Sequence, residues 1–405
     1  MSIDPRKIED KNFLATYAKR GDLMLVRGEG SYVFDDRGKK YLDFTTSLGI
    51  ASLGHAHPRI ISVLQEQASE IIACNTSFYS PVRAELCEKL AGYFSCAAEG
   101  VVGERVECEV SLLNSGTEAT EAALKFAKGI TGKSGIVYTK NAFHGRTMGA
   151  LSACGTMKYQ KPAHPLVPDF HMVPYSDVEA MESVFAERGN ELAAVILEPI
   201  QGESGVIEAS QEYFQKVREL CDQNEVVLIF DEVQTGSGRT GEFFCFEHFD
   251  VVPDMVCLAK ALGTGFPISA TIVKKELAEK IPPKFHGSTY GAGPLASRVG
   301  LEVLNIFEEE ELLNNVTEMG AYFKGELEKL AGECGKIREV RGRGLILAIE
   351  LKERVVGYLK KLQEEEGLLV LACGPLTMRF LPPFNVSKEE IDESIVKVRK
   401  VLIDT

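Results

Sequence analysis

No apolar run in the 405-residue chain reaches the ~18 residues of a membrane-spanning helix, so no membrane partner is expected. The segment after Met1 has no hydrophobic stretch of the signal-peptide kind, and a cytoplasmic location is the expectation. Basic charge is in deficit: 45 Lys and Arg stand against 59 Asp and Glu, a formal net charge of −14. That balance disfavours nucleic acid as a partner. The ten cysteines never form a C-x-x-C pair, which argues against a disulfide framework or zinc ribbon and for reduced thiols. The seven histidines do not cluster with thiols or carboxylates. Their one close pair, His55 and His57, lacks a third ligand at helical spacing, so no metal is expected and a loop or helix-start role is favoured. Neither a Walker loop nor a Gly-x-Gly-x-x-Gly loop is read in the chain. A plain nucleotide-binding domain is thereby disfavoured.

What is present is an alternation of short β-branched runs with amphipathic stretches, the pattern of strands and crossover helices in a parallel sheet. Strands are expected over residues 109–113, 135–139, 170–173, 193–197, 226–230, 255–258 and 269–273. Several are apolar throughout, as strands covered by helices on both faces are. Helices are expected between them, for example over 116–128 and 211–223. This places an α/β domain at residues 55–293. Residues 30–46 read as a β-hairpin turning at Asp36-Arg37-Gly38. After Pro294 a long helix is expected, then short strands near 344–350, 368–371 and 378–380, then a charged helix from Lys388. Residues 1–54 and 294–405 are therefore assigned to a second, smaller α+β domain built from both termini. The acidic runs at Glu308–Glu311 and Glu364–Glu366 read as solvated helix faces.

Four segments put polar groups at the ends of apolar strands, where α/β proteins place ligands. In the first, the run ending at Phe230 stops on two carboxylates, Asp231 and Glu232; a turn-capping role explains such a pair about as well as chemistry does. In the second, Lys260 closes an apolar strand and is followed by Gly263 and Gly265. A lysine in a semi-apolar pocket has a lowered pKa and becomes a carbonyl nucleophile, although a lone one usually snorkels to solvent. In the third, Ser115-Gly116-Thr117 opens an alanine-rich helix whose start can bind phosphate, or is simply an N-cap. In the fourth, Phe143, His144 and Arg146 set an aromatic face beside an arginine. Singly these are weak. Together they describe a site for pyridoxal 5′-phosphate: phosphate cradle, ring-stacking aromatic, carboxylate for the pyridine nitrogen, lysine for the aldehyde. Asp231 and Lys260 end two different strands, and their separation leaves room for one intervening element, so both can converge on one crevice.

The chain resembles the class III, ω-amino-acid aminotransferases of fold type I over nearly its whole length. The resemblance rests on Phe143-His144-Gly145-Arg146-Thr147, Glu198-Pro199-Ile200-Gln201-Gly202-Glu203, Asp231-Glu232-Val233-Gln234-Thr235-Gly236 and His286-Gly287-Ser288-Thr289-Tyr290-Gly291. It implies a large domain with a mainly parallel seven-stranded sheet and Lys260 as the Schiff-base lysine. Asp231 would face the ring nitrogen, Val233 and Phe143 would sandwich the ring, and Gln234 would bond its 3′-oxygen. Ser115, Gly116 and Thr117 would hold the phosphate, with Thr289 reaching over from a partner subunit in a homodimer. His144, Glu198 and Ser288 join this cofactor set, Glu198 in a supporting role.

For substrates, the resemblance makes Arg146 the α-carboxylate fork. Glu203 and Arg379 become a switch: Glu203 neutralises Arg379 when an ω-amine is bound and releases it for the second carboxylate of 2-oxoglutarate. Leu48 stands where ornithine-specific members carry tyrosine, which points to the acetylornithine and 4-aminobutyrate branches. Tyr17 is a further substrate candidate. The implied reaction moves the ω-amino group of a donor such as N-acetylornithine to 2-oxoglutarate, giving glutamate and an aldehyde. Ornithine, 4-aminobutyrate, acetyl-lysine-type and succinyldiaminopimelate donors stay open.

Overall fold

In the computed structural model, which describes residues 4–14, 16 and 21–404, all seven expected strands form one sheet. Their order across it is Cys108–Leu113, Ser269–Lys274, Met255–Leu258, Val227–Asp231, Leu192–Leu197, Gly135–Thr139 and Phe170–Val173. Ser269–Lys274 runs antiparallel to both neighbours, and the remaining six strands share one direction. Leu192–Leu197 and Val227–Asp231 are buried at every position, as central strands with helices on both faces must be. The helices expected at 116 and 211 run Gly116–Thr131 and Gln211–Asn224, each started by a serine N-cap, Ser115 and Ser210.

Register decides where the chemistry falls. Asp231 pairs with Cys257 across parallel strands, and Lys260 lies three residues beyond Cys257. Both side chains therefore emerge at the same sheet edge, from adjacent strands. Ser115 follows Leu113 at that edge too, which is where open α/β sheets hold ligands.

The termini build the rest. The hairpin forms as Tyr32–Asp35 against Lys40–Asp43, its turn held by Asp35 Oδ1 accepting from the Arg37 and Lys39 amides. Leu368–Leu369 adds to it in parallel, so chain from both ends shares one small sheet. A second four-stranded sheet holds Ile337–Arg343, Ile346–Leu351, Thr377–Phe380 and Leu371–Ala372. Among the described residues no helix is long and apolar enough to cross a membrane.

Three readings are corrected. The single helix after Pro294 is two, Pro294–Glu309 and Leu312–Glu333, broken where Glu311 takes a left-handed φ of 49°. The acidic run at 308–311 is exposed, as expected, and spans the joint between the helices, with Glu308 paired to Lys89 and Glu309 to Arg59. Strand Ile337–Arg343 had escaped notice because Arg338, Glu339, Arg341 and Arg343 mask its alternation. Contrary to expectation, residues 236–241 do match Gly-x-Gly-x-x-Gly. They form consecutive turns around the buried Arg239 and open no α-helix, so no dinucleotide loop results. His57 is the N-cap of helix Pro58–Glu70, and His55 Nε2 meets Asp43 at 2.8 Å, which fits the loop and helix-start roles.

Candidate functional site

The two carboxylates that end the central strand part company. Glu232 turns into the core, where it accepts from the Cys245 and Phe246 amides at 2.6 and 2.9 Å and burial pushes its pKa up to about 8. It is the turn cap. Asp231 faces a cavity of about 350 Å³. Its Oδ1 accepts from the Val233 amide at 3.0 Å, and its Oδ2 accepts from His144 Nδ1 at 2.7 Å. Burial pulls the His144 imidazolium down, but the hydrogen bond and charge of Asp231 outweigh it and raise its pKa above the ordinary value. His144 therefore clamps the carboxylate; its Nε2 has no hydrogen-bond partner among the described residues.

Lys260 lines the same cavity. Its φ of 29° is unusual for a residue with a side chain, and strain of this kind gathers at functional positions. Burial lowers its ammonium pKa, against the opposing charge of Glu203. A lysine so placed is more readily the free amine that chemistry at a carbonyl needs.

The helix Gly116–Thr131 directs its first turn at the cavity, and Ser115, Gly116 and Thr117 line it. First-turn amides have no acceptors within their own helix, which makes this end a phosphate cradle. A Cβ on Gly116 would lie 2.7 Å from Val233 Cγ1, so the cradle and the Val233 wall meet only because residue 116 has no side chain. Gly116→Ala is expected to weaken cofactor binding about tenfold by displacing Val233, checked by absorbance titration of the apoenzyme. An unchanged affinity would mean that Val233 is not a wall of the cofactor slot.

Phe143 forms another wall. Its amide donates to Glu198 Oε2 at 2.9 Å, and burial pushes the Glu198 pKa up to about 7. Arg379 is buried, its Nη1 donating to the Gly202 carbonyl at 2.7 Å and Gln234 Oε1 at 2.9 Å. Its Nη2 meets Glu203 Oε1 at 2.9 Å. Burial raises the Glu203 carboxyl, but Arg379 and Lys260 hold it below the usual range. A cradle of amides, two apolar walls, a clamped carboxylate and a buried lysine fit the phosphate, ring, ring nitrogen and aldehyde of pyridoxal phosphate.

Among the described residues, five expected ones do not line this cavity: Arg379, which reaches it only through Glu203 and Gln234, and Arg146, Ser288, Thr289 and Leu48. Arg146 is exposed, its guanidinium stacked over Tyr159 at 4.7 Å. Ser288 is held by Asn114 Nδ2 at 2.9 Å, and Thr289 lines a neighbouring cavity with Tyr290 and Phe266. Leu48 sits half-exposed in a left-handed turn, Thr46–Gly49, so the aliphatic wall falls instead to Ile50, which had not been singled out. Tyr17 lies outside the described residues. Phe266 and Pro267 also line the cavity; their only sequence signal is the glycine-rich turn after Lys260.

This fold and site define a pyridoxal-phosphate-dependent enzyme of fold type I. The family model "Aminotransferase class-III" matches residues 16–402. An acetylornithine aminotransferase of Aquifex aeolicus is 41% identical over 96% of this chain and 100% of its own length. A [LysW]-aminoadipate semialdehyde/glutamate semialdehyde transaminase of Sulfolobus acidocaldarius is 39% identical over 96% of both chains. The crystal structure of the ornithine aminotransferase of Toxoplasma gondii superposes with a TM-score of 0.91 at 31% identity, covering 98% of this chain and 94% of that one. The chain belongs to the class III aminotransferases.

Proposed function

We propose that this aminotransferase moves the ω-amino group of N-acetylornithine to 2-oxoglutarate, giving glutamate and an aldehyde. The observation that carries this reading is the Arg379–Glu203 pair, whose Glu203 lines the cavity in front of the buried Arg379. Arg379 is buried and held by the Gly202 carbonyl and Gln234 Oε1, whereas the Glu203 side chain that pairs with it is 35% exposed. An arginine that is masked for one substrate and bared for another serves a reaction whose donor and acceptor differ by a distal carboxylate.

Bound pyridoxal phosphate supplies an electron sink for the carbon that loses its proton. Lys260 would hold the cofactor and move that proton through Nζ, which burial favours as a free amine. Asp231, clamped by His144, would keep the ring nitrogen protonated. Phe143 and Val233 would hold the ring between them, and Gln234 would bond its 3′-oxygen. Arg146 at the mouth would grip the α-carboxylate that donor and acceptor both carry. Thr289 would complete the phosphate site of a partner subunit in a cytoplasmic homodimer. Support for the dimer comes from Ile72 and Tyr290, large exposed side chains that line the same cavity as Thr289.

The two arginines are expected to fail differently. Arg379→Ala should weaken the 2-oxoglutarate half-reaction by ~1.5–3 kcal/mol per lost contact and spare the amine half. Arg146→Ala should damage both. Stopped-flow single turnovers separate the halves, and equal losses for Arg379→Ala would remove the switch. The donor is tested by a panel of N-acetylornithine, ornithine, 4-aminobutyrate, N-acetyl-lysine, N-succinyldiaminopimelate and LysW-aminoadipate semialdehyde (the last run in reverse with glutamate). N-acetylornithine is expected to give the highest kcat/KM; a higher value for any other member assigns the enzyme to that substrate instead.

A further inference from the structure

We infer that Tyr159 is a positioning residue for the substrate carboxylate, acting as the aromatic platform that holds the Arg146 guanidinium; this rests on the α-carboxylate role proposed for Arg146. Arg146 is exposed, and an exposed arginine explores many rotamers unless something fixes its plane. Its guanidinium carbon lies 4.7 Å from the Tyr159 ring centroid and 5.9 Å from that of Phe143. The two rings meet edge to face, with centroids 5.9 Å apart and planes at 74°. Stacking on a ring face leaves the in-plane N–H donors of a guanidinium free, the fork that a carboxylate needs.

The platform is anchored. Tyr159 sits in the short helix Met157–Gln160, whose buried Gln160 donates through Nε2 to the Leu151 and Ser152 carbonyls at 3.2 and 3.4 Å. Those carbonyls belong to Met148–Ser152 and its C-terminal end, immediately downstream of Arg146. That helix is in turn tied to the phosphate cradle. Glu121 Oε1 accepts from the Gly149 and Ala150 amides at 2.8 and 3.1 Å, and the Thr147 and Thr117 hydroxyls lie 2.7 Å apart. The ring under Arg146 and the turn that holds phosphate are therefore parts of one hydrogen-bonded frame. Lys158 Nζ also lies over the Tyr159 ring, at 4.8 Å, but it is solvent-exposed and outside this frame.

The test compares Tyr159→Leu, Tyr159→Phe and Arg146→Ala in the holoenzyme. Tyr159→Leu should raise KM roughly three- to tenfold for donor and acceptor alike while kcat changes less. Tyr159→Phe, which keeps the ring, should retain the wild-type KM. The pyridoxal phosphate affinity of the Tyr159→Leu apoenzyme, titrated by absorbance, should be unchanged. Wild-type KM values in Tyr159→Leu alongside a damaged Arg146→Ala would overturn the platform and leave the role of Arg146 standing. A harmless Arg146→Ala would overturn both. Failure of Tyr159→Phe to retain KM, or a matching loss of cofactor affinity in Tyr159→Leu, would also overturn it, since the hydroxyl or the packing would then be what matters.

Discussion

Lys260→Ala is expected to lose about four orders of magnitude in turnover, the upper end of what one positioned proton-transfer group contributes. On the roles proposed for Lys260, the substitution would remove both the covalent tether and the base, and among the described residues no group lining the cavity is placed to replace the base. The other titratable groups lining the cavity are His144, Glu198, Glu203 and Asp231. His144 is committed to Asp231, and Glu203 to Arg379. The Glu198 carboxylate already accepts from the Phe143 amide. The phosphate cradle and ring walls remain, so cofactor should still bind, without covalent attachment. Single-turnover kinetics on the reconstituted variant checks this. A loss below tenfold would place the proton transfer on another residue.

Asp231→Asn is expected to keep the cofactor and lose at least two orders of magnitude in kcat. A carboxylate at about 4 Å from a protonated ring nitrogen is worth on the order of 4 kcal/mol at an effective dielectric of 20, and each ~1.4 kcal/mol is tenfold in rate. Asparagine preserves the shape that receives the Val233 amide but removes the charge. It also leaves the buried His144 facing a neutral amide, so the imidazolium loses the interaction that raises its pKa. Turnover within a few-fold of wild type would show that Asp231 does not serve the ring nitrogen.

The central sheet was legible because its strands are continuous apolar runs whose polar ends stand out, as at Asp231 and Lys260. The strand pattern alone could not tell Asp231 from Glu232, and only the family resemblance chose Asp231, since adjacent strand residues point to opposite faces and the register decides which meets the cavity. His144 was legible only as part of a motif; its hydrogen bond to Asp231 joins residues 87 positions apart. Leu48 was expected at the site and Ile50 was not, because Thr46, Ser47 and Leu48 all adopt positive φ, a local path that no propensity signals. The strand Ile337–Arg343 was hidden by its own charges, which pair with neighbours such as Glu350 and Glu208. Tyr159 carried no motif at all. Its place beneath Arg146 exists only in three dimensions.

The most direct test of the site is chemical. The purified protein, reconstituted with pyridoxal phosphate, is reduced with borohydride, digested and mapped by mass spectrometry. The account expects a yellow protein whose absorbance band is lost irreversibly on reduction, with a single pyridoxyl adduct on Lys260. An adduct on any other lysine, or none, would contradict it.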